Sequence, residues 1–304
     1  MKIVITGGAG FIGAALASNL ANNPKNEVIA IDNTSSGDWR RIKGNVKQIN
    51  LDIALTDSEV IQEILKDAGI VFHLAATKLH NAQNSFNAIL QNNIVASQKI
   101  FENSGIAGVK RVVFTSSLYV YGLPETMVIN ETLKPNPSTF YGASKAFGES
   151  ILQVNSQKYG YSACTARLFF IYGPHQFAEG GYKSVIISNF EKIISGALPT
   201  VFGSGSQVLD YLYIDDCIEA LELIGKSNIL GEFNISSNFG ISILNLTKLM
   251  IKIANGSTCT FDVADWTDGT VRVGANEKLR NSIGWSPKID LIEGLTRTWR
   301  SIQI

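Results

Sequence analysis

Apolar positions follow two alternating rhythms over the first half of the chain. Short β-branched runs at residues 2–6, 27–31, 46–50, 70–74, 111–115 and 163–169 have the length and composition of buried strands. Between them, residues 11–21, 58–66, 86–103 and 139–158 carry apolar side chains at helical spacing. Strand and helix in alternation predict repeated βαβ units, and right-handed crossovers then wind helices onto both faces of one parallel sheet. The expected fold is α/β, a Rossmann-type doubly wound parallel sheet.

After about residue 169 the rhythm breaks. Residues 172–181 read as a loop, 185–195 as a helix, 199–205 as a turn-rich segment, 208–214 as a strand and 215–225 as a helix. Short strands, a helix at 242–254 and an amphipathic helix at 291–299 complete the tail. The pattern divides the chain into a doubly wound unit at 1–168 and a smaller, irregular lobe at 169–304. The stretch 208–225 is expected to return to the first unit. A cleft should lie between them, at the carboxyl edge of the sheet.

Composition narrows the class. With 304 residues, 45% of them hydrophobic, the chain can fill a core without staples. No apolar run is long enough for a membrane helix. The formal net charge is +0 and the basic residues are scattered, which argues against nucleic acid as a partner. Three widely spaced cysteines, Cys164, Cys217 and Cys259, and three histidines form no metal spacing, so no metal site is expected. Unpaired cysteines and a first strand too short for a signal-peptide core point to the cytoplasm.

The first predicted strand runs into GGAGFIG, with Gly7, Gly10 and Gly13 three residues apart. Gly7 permits a tight turn, Gly10 lets backbone approach a pyrophosphate, and Gly13 lets the next helix pack closely on the sheet. The helix start offers free N–H groups to phosphate. Alone, such a triplet marks only a strand–turn–helix joint. Placed after a strand, ahead of a helix and before Asp32 at the end of the second strand, it reads as a dinucleotide site. Asp32 suits a ribose 2′-hydroxyl and repels a 2′-phosphate, which favours NAD over NADP. Arg40 and Arg41 either answer a 2′-phosphate or cover the surface. Further cofactor contacts are expected at Ser35, Ser36 and Gly37 after the second strand, and at Leu74, Ala75 and Ala76 after the fourth.

Tyr141 and Lys145 stand one helical turn apart in FYGASKAFGES. An ammonium beside a phenol lowers the phenol's pKa, and a tyrosine so tuned accepts a proton from an alcohol as hydride leaves the same carbon. Ser117, in FTSSLYVYG, is placed to hydrogen-bond the same oxygen. Tyr119, two residues on, is a candidate for the pocket wall. The plainer reading of Tyr-x-x-x-Lys, an exposed helical pair, loses ground behind a dinucleotide loop. His73 is expected to be structural. Trp266, Trp285 and Trp299 should pack the lobe, and Asp215 and Asp216 should cap a helix start.

These residues, in order with IDN at 31–33, LDI at 51–53, VFHLAA at 71–76, NNI at 92–94, RLFFIYGP, LDYLYIDD at 209–216 and IGWSP, make the whole chain resemble extended short-chain dehydrogenases/reductases of the NAD-dependent sugar epimerase/dehydratase type. Within that family it is most similar to the UDP-galactose 4-epimerase branch. The resemblance implies NAD contacts or catalysis at Phe11, Ile12, Asp32, Asn33, Asp52, Ile53, Lys78, Asn93, Ser117, Tyr141, Lys145 and Phe169. Lys78 is also implied at the substrate. It further implies a nucleotide-sugar substrate, a 4-keto intermediate and a homodimer paired through 86–103 and 139–158.

Some positions depart from the family pattern. Leu118 and Tyr119 replace the acidic pair of the dehydratases, and Tyr119 replaces the decarboxylases' glutamate, so neither activity is expected. Phe170 stands where the family has Asn. Leu209 and Thr267 stand where epimerases carry arginines for the diphosphate, with Arg272 nearby as a replacement. Either the nucleotide is held differently or the substrate is not a usual nucleotide sugar. The functions in view are a 4-epimerase that recycles its hydride and, as the alternative, an NAD(P)H-dependent 4-ketoreductase of a nucleotide-linked keto-sugar. A dinucleotide sensor would not need Ser117, Tyr141 and Lys145.

Overall fold

Seven parallel strands form the main sheet, side by side in the order Gly231–Ile235, Ser162–Leu168, Arg111–Ser117, Ala68–His73, Lys2–Thr6, Glu27–Asp32 and Val46–Asn50. The chain meets, in order, β1 (Lys2–Thr6), α1 (Phe11–Ala21), β2 (Glu27–Asp32), β3 (Val46–Asn50), α2 (Ser58–Leu65), β4 (Ala68–His73), α3 (Ala96–Ile106), β5 (Arg111–Ser117), β6 (Val128–Ile129), α4 (Phe140–Tyr159), β7 (Ser162–Leu168), β8 (Phe170–Tyr172), α5 (Val185–Ile194), β9 (Thr200–Phe202), β10 (Val208–Tyr213), α6 (Ile214–Lys226), β11 (Gly231–Ile235), β12 (Gly240–Ser242), α7 (Ile243–Ile253), β13 (Thr260–Asp262), β14 (Val271–Gly274), α8 (Glu277–Ile283) and α9 (Leu291–Ile302). The computed structural model describes residues 1–77, 86–176, 183–264 and 269–303. Lys78, Trp266 and Thr267 lie outside the described residues.

The sheet is Rossmann-like and covered by helices on both faces. Every residue of β5 is buried, as a strand with two covered faces requires. One face packs Ile3, Ile5 and Phe72 against Leu16 and Leu20 of α1 and Leu221 and Ile224 of α6. The other packs Val4, Ile29 and Phe114 against Ile61 and Leu65 of α2 and Ile100 and Phe101 of α3. The strand order turns back between β1 and β4, opening a crevice at their carboxyl ends.

At Phe169 the chain leaves this sheet. β8 pairs with β10, which also lies between β12 and β14, and β14 carries β6 at the edge. Within 208–225, helix α6 therefore lies on the main sheet while strand β10 belongs to the second one. The turn-rich reading of 199–205 holds from Gly203 to Gly205 and is corrected before it: Thr200–Phe202 is strand β9, paired in parallel with β13. Asp215 and Asp216 are corrected too, since neither caps α6. Asp216 instead accepts the backbone N–H groups of Lys288 and Ile289, both at 3.0 Å, tying the tail to the helix, and Asp215 pairs with Arg297. Trp285 is buried beneath that tail, and Trp299 meets Phe190 at 5.1 Å between ring centres.

Candidate active site

One cavity of about 750 Å³ runs from the glycine loop across the ends of β1, β4 and β5 to β9, β10 and β14. The loop shapes its first end. Gly7 sits at φ +69°, and a Cβ on Gly13 would stand 2.1 Å from the Gly7 carbonyl oxygen, so backbone alone fits there. Gly7, Gly10, Phe11, Ile12 and Gly13 all line the cavity. So do Asp32, Asn33, Ser35 and Ser36.

Asp32 accepts the Ala9 N–H at 3.0 Å and the Thr34 N–H at 2.7 Å. Each oxygen keeps acceptor capacity for a ligand hydroxyl. Burial raises its pKa, against the pull of those two N–H groups and of Arg41. Arg40 is bound to Asp38 at 2.8 Å on the surface. Arg41 does not merely cover the surface: it lines the cavity and donates to the Ala9 carbonyl at 3.1 Å. Gly37 is not in the wall; a Cβ there would meet the Ala9 Cβ at 2.7 Å, which makes it a packing glycine. The donor set, the glycine cradle and the acceptor on β2 fit a dinucleotide.

Asp52, Ile53, Leu74, Ala75 and Ala76 form the next part of the wall. Asn93 does not. Its buried amide accepts the Thr77 N–H at 2.7 Å and donates to Ser144 Oγ at 3.0 Å, so it positions the wall from behind. Asn92 reaches the cavity instead and donates to Thr77 Oγ1 at 2.8 Å. Both amides lie in a π-helical turn over Leu90–Val95.

Ser117, Tyr141 and Lys145 come together where the two ends of the cavity meet. Ser117 ends β5, and α4 supplies the other two, its start capped by Thr139 accepting from the Gly142 N–H. Tyr141 is hydrogen-bonded to Ser117. Lys145 is 3% exposed, donates to the Thr115 carbonyl at 2.9 Å, and has its Nζ 5.9 Å from the centre of the Tyr141 ring. Burial pushes the lysine down to about 7, against the pull of Glu149. Burial pushes the Tyr141 phenol up to about 12, outweighing the Ser117 hydrogen bond. The expectation that Lys145 lowers the phenol is thus not met by the protein's own charges, because enclosure dominates both groups.

His73 is fully buried, with Nδ1 2.6 Å from Thr6 Oγ1 and Nε2 2.8 Å from Ser97 Oγ. Burial and the nearby Lys145 hold its pKa down at about 3. It is a neutral bolt between β1, β4 and α3.

Tyr119, Phe169, Phe170 and Arg272 line the far end. Tyr119 meets Tyr141 edge-on at 5.9 Å, and Phe170 packs on Tyr211 at 5.6 Å. Sequence reasoning missed Lys192, Phe202, Gln207 and Tyr211 there. The alternation of VLDYLY carried a signal for Tyr211, two residues after Leu209 on the same face. The other three had none, since their places depend on how the small strands pair.

The NAD dependent epimerase/dehydratase family model matches residues 3–236. The chain belongs to that family. A putative UDP-glucose 4-epimerase from Methanocaldococcus jannaschii is 31% identical over 97% of this chain and 96% of its own length. The crystal structure of UDP-glucose 4-epimerase from Thermotoga maritima with UDP-glucose superposes with a TM-score of 0.93, at 30% identity over 100% of this chain and 99% of that one. The Thermus thermophilus UDP-glucose 4-epimerase complex with NAD gives 0.90, at 26% identity over the same shares.

Proposed function

We propose that the protein is an NAD-dependent nucleotide-sugar 4-epimerase. The observation that carries this is the position of Ser117, Tyr141 and Lys145 at the joint of one continuous cavity. The glycine loop and Asp32 lie to one side and the substrate lobe to the other. The relatives named as UDP-glucose 4-epimerases, over nearly the whole chain, support the same reading.

Asp32 and the glycine loop hold the dinucleotide, and Arg41 braces the loop through the Ala9 carbonyl. When bound, NAD supplies a hydride acceptor and a positive charge beside the phenol. Tyr141 takes the proton of the sugar 4-hydroxyl and later returns it to the same oxygen. Ser117 shares that oxygen's hydrogen bond and orients it. Lys145, anchored on Thr115, keeps the tyrosine's end of α4 in register with β5. The sugar passes through a 4-keto state and is reduced on its other face. Leu118 and Tyr119 offer no carboxylate for loss of water.

Residues 1–168 serve the cofactor in this reading, and 169–304 mainly the substrate. Exposed Phe86, Phe140, Phe147 and Val154 support a homodimer paired through 86–103 and 139–158. Three free cysteines suit the cytoplasm. Among the described residues no helix is long and apolar enough to cross a membrane.

The test is to denature freshly purified protein and quantify released dinucleotide, then to incubate the intact protein with UDP-glucose and look for UDP-galactose. Stoichiometric NAD and interconversion without added cofactor are expected. Protein that is empty, and that turns over keto-sugars only with added NADH or NADPH, would establish the ketoreductase instead.

A further inference from the structure

Arg167 on β7 and Glu149 on α4 form an ion pair that is buried on both sides, with 4% and 8% of the two side chains exposed. Neither residue lines the cavity. The pair is bidentate: Arg167 Nε donates to Glu149 Oε1 at 2.9 Å and Nη2 to Oε2 at 2.6 Å. Arg167 Nη1 donates to the Tyr121 hydroxyl at 2.9 Å, and that hydroxyl donates to Asn234 Oδ1 at 2.8 Å. Asn234 closes the chain by donating to the Ile129 carbonyl at 3.0 Å. The network therefore ties α4 to β7, to the turn after Ser117, to β11 and to β6. A buried ion pair is an expensive way to hold two elements together unless their relative position matters.

Here it matters, because α4 carries two of the three reacting groups. Tyr141, Lys145 and Glu149 follow one another at intervals of four, so they share one stripe of the helix. Gly148 lets that stripe close on β5, since a Cβ there would stand 2.7 Å from the Phe114 ring. The same ring lies 4.7 Å from Lys145 Nζ. Close packing on an aromatic ring sets how near the helix comes, but it leaves the helix free to slide or turn. A bidentate pair removes that freedom, because two nitrogens and two oxygens must meet in one plane.

We propose that Glu149, clamped by Arg167, is a positioning residue of the reacting centre: it fixes α4 so that Lys145 meets the Thr115 carbonyl and Tyr141 meets Ser117. The inference rests on the reading of Ser117, Tyr141 and Lys145 as the reacting groups. Glu149 acts by charge as well as by length, since it draws Lys145 toward its ammonium form against the effect of burial. The other titratable groups around this lysine are His73 on β4, Tyr119 after β5, Tyr141 on its own helix and, through Glu149, Arg167 on β7. Burial keeps His73 and Tyr141 neutral. On α3, Lys99 is turned to the Ala54 and Thr56 carbonyls and Glu102 to Tyr159. The Glu149–Arg167 pair thus supplies the formal charges nearest to Lys145.

The protein as purified, with its lysines labelled at Cε, is titrated by NMR, the Lys145 signal being the one that Lys145→Met removes. Turnover of UDP-glucose is measured alongside, per bound dinucleotide. Glu149→Gln should lower kcat by about 10–100-fold and leave KM within a factor of about two. It leaves the Arg167 charge behind, so the Lys145 titration should move down by about one pH unit. Arg167→Met should lower kcat similarly but leave the carboxylate behind, moving the Lys145 titration up. Loss of packing alone would lower the melting temperature of both variants and shift the lysine in neither. Full kcat in either folded variant would overturn the proposal, and so would a lysine shift that is absent or of one sign in both. Should the single variants fail to fold, Glu149→Leu combined with Arg167→Met removes both buried charges at once, which cores tolerate better. That variant should still lose about 10-fold in kcat, and an unchanged kcat would overturn the proposal. A wild type that turns over no nucleotide sugar would bring down the functional reading itself, and the opposite lysine shifts would then decide the role of the pair.

Discussion

At the glycine-loop end of the cavity, the contacts that shape the site join residues close in sequence or on adjacent strands of one sheet. Gly13 packs on Gly7, and Asp32 holds the Ala9 N–H across one strand. The substrate end is assembled from β8, β9, β10, β14 and α5, elements of three to ten residues whose partners are far along the chain. β6 alone pairs residues near 128 with residues near 273. The first end is built to one pattern because a dinucleotide demands that backbone. The second is a patchwork of short elements held together by long-range pairing. Variants at Gly13 and Asp210 should each damage one end and spare the other, and variants at Tyr141 and Lys145 act where the two ends meet.

The joint itself gives the largest effect. Tyr141→Phe removes the proton acceptor and keeps the ring that packs on Tyr119. Turnover should fall by about 10²–10⁴-fold. The melting temperature and the bound dinucleotide should stay as in the wild type. Steady-state rates together with dinucleotide content on denaturation decide it, and a variant that retains turnover would remove Tyr141 from the chemistry.

Gly13→Ala strikes the cofactor end. Its Cβ would lie 2.1 Å from a backbone oxygen that cannot swing aside. A loss of about 2–3 kcal/mol in stability is expected, since overpacking against backbone has no cheap relief. Dinucleotide retention should drop with it, while UDP affinity holds. Denaturant melts and bound-NAD stoichiometry test this, and a variant that keeps full cofactor would mean the α1 start can shift.

How much of this was legible follows the same division. The first six strands of the main sheet in chain order, α1 and the glycine loop carry short-range signals, and the structure has them within a residue or two of where the pattern placed them; β11 at Gly231–Ile235, which joins the sheet from the second half of the chain, was not placed. That Asn92 and not Asn93 lines the cavity does not show in the sequence, because both amides fall in one helical stretch whose π-helical turn carries no residue pattern of its own. Strand β9 looked like a turn because three residues between Pro199 and Gly203 gain strand character only by pairing with β13. Arg272 was legible as a residue. Its placement opposite Leu209 was not, since register between β10 and β14 is a long-range fact.

Asp210→Asn strikes the substrate end. The buried carboxylate accepts the Ser237 N–H at 2.7 Å, the Ser237 hydroxyl at 2.6 Å, the Asn238 N–H at 3.0 Å and the Gly274 N–H at 3.1 Å. An amide must turn two donors toward donors. The loss should be about 2 kcal/mol, with weaker UDP binding and dinucleotide retention unchanged. Should cofactor be lost as well, the two ends are more tightly joined than their contacts suggest.

The smallest effect concerns the group that both ends share. Burial lowers Lys145 from its ordinary 10.5 to about 7. Between those values the folded chain binds fewer protons than the unfolded one, so this lysine makes stability rise with pH across that window. At and below about pH 7 the folded state carries the full penalty of an enclosed ammonium, and near pH 10.5 that penalty is gone. Lys145→Met removes the titration and, as a fixed offset, the bond to Thr115. The melting temperature of the variant minus that of the wild type, both free of nucleotide, should be highest at pH 6–7 and fall steadily toward pH 10. A flat difference would show that Lys145 keeps its ordinary affinity for the proton. It would then be a charged neighbour of Tyr141 at neutral pH even before a cofactor arrives.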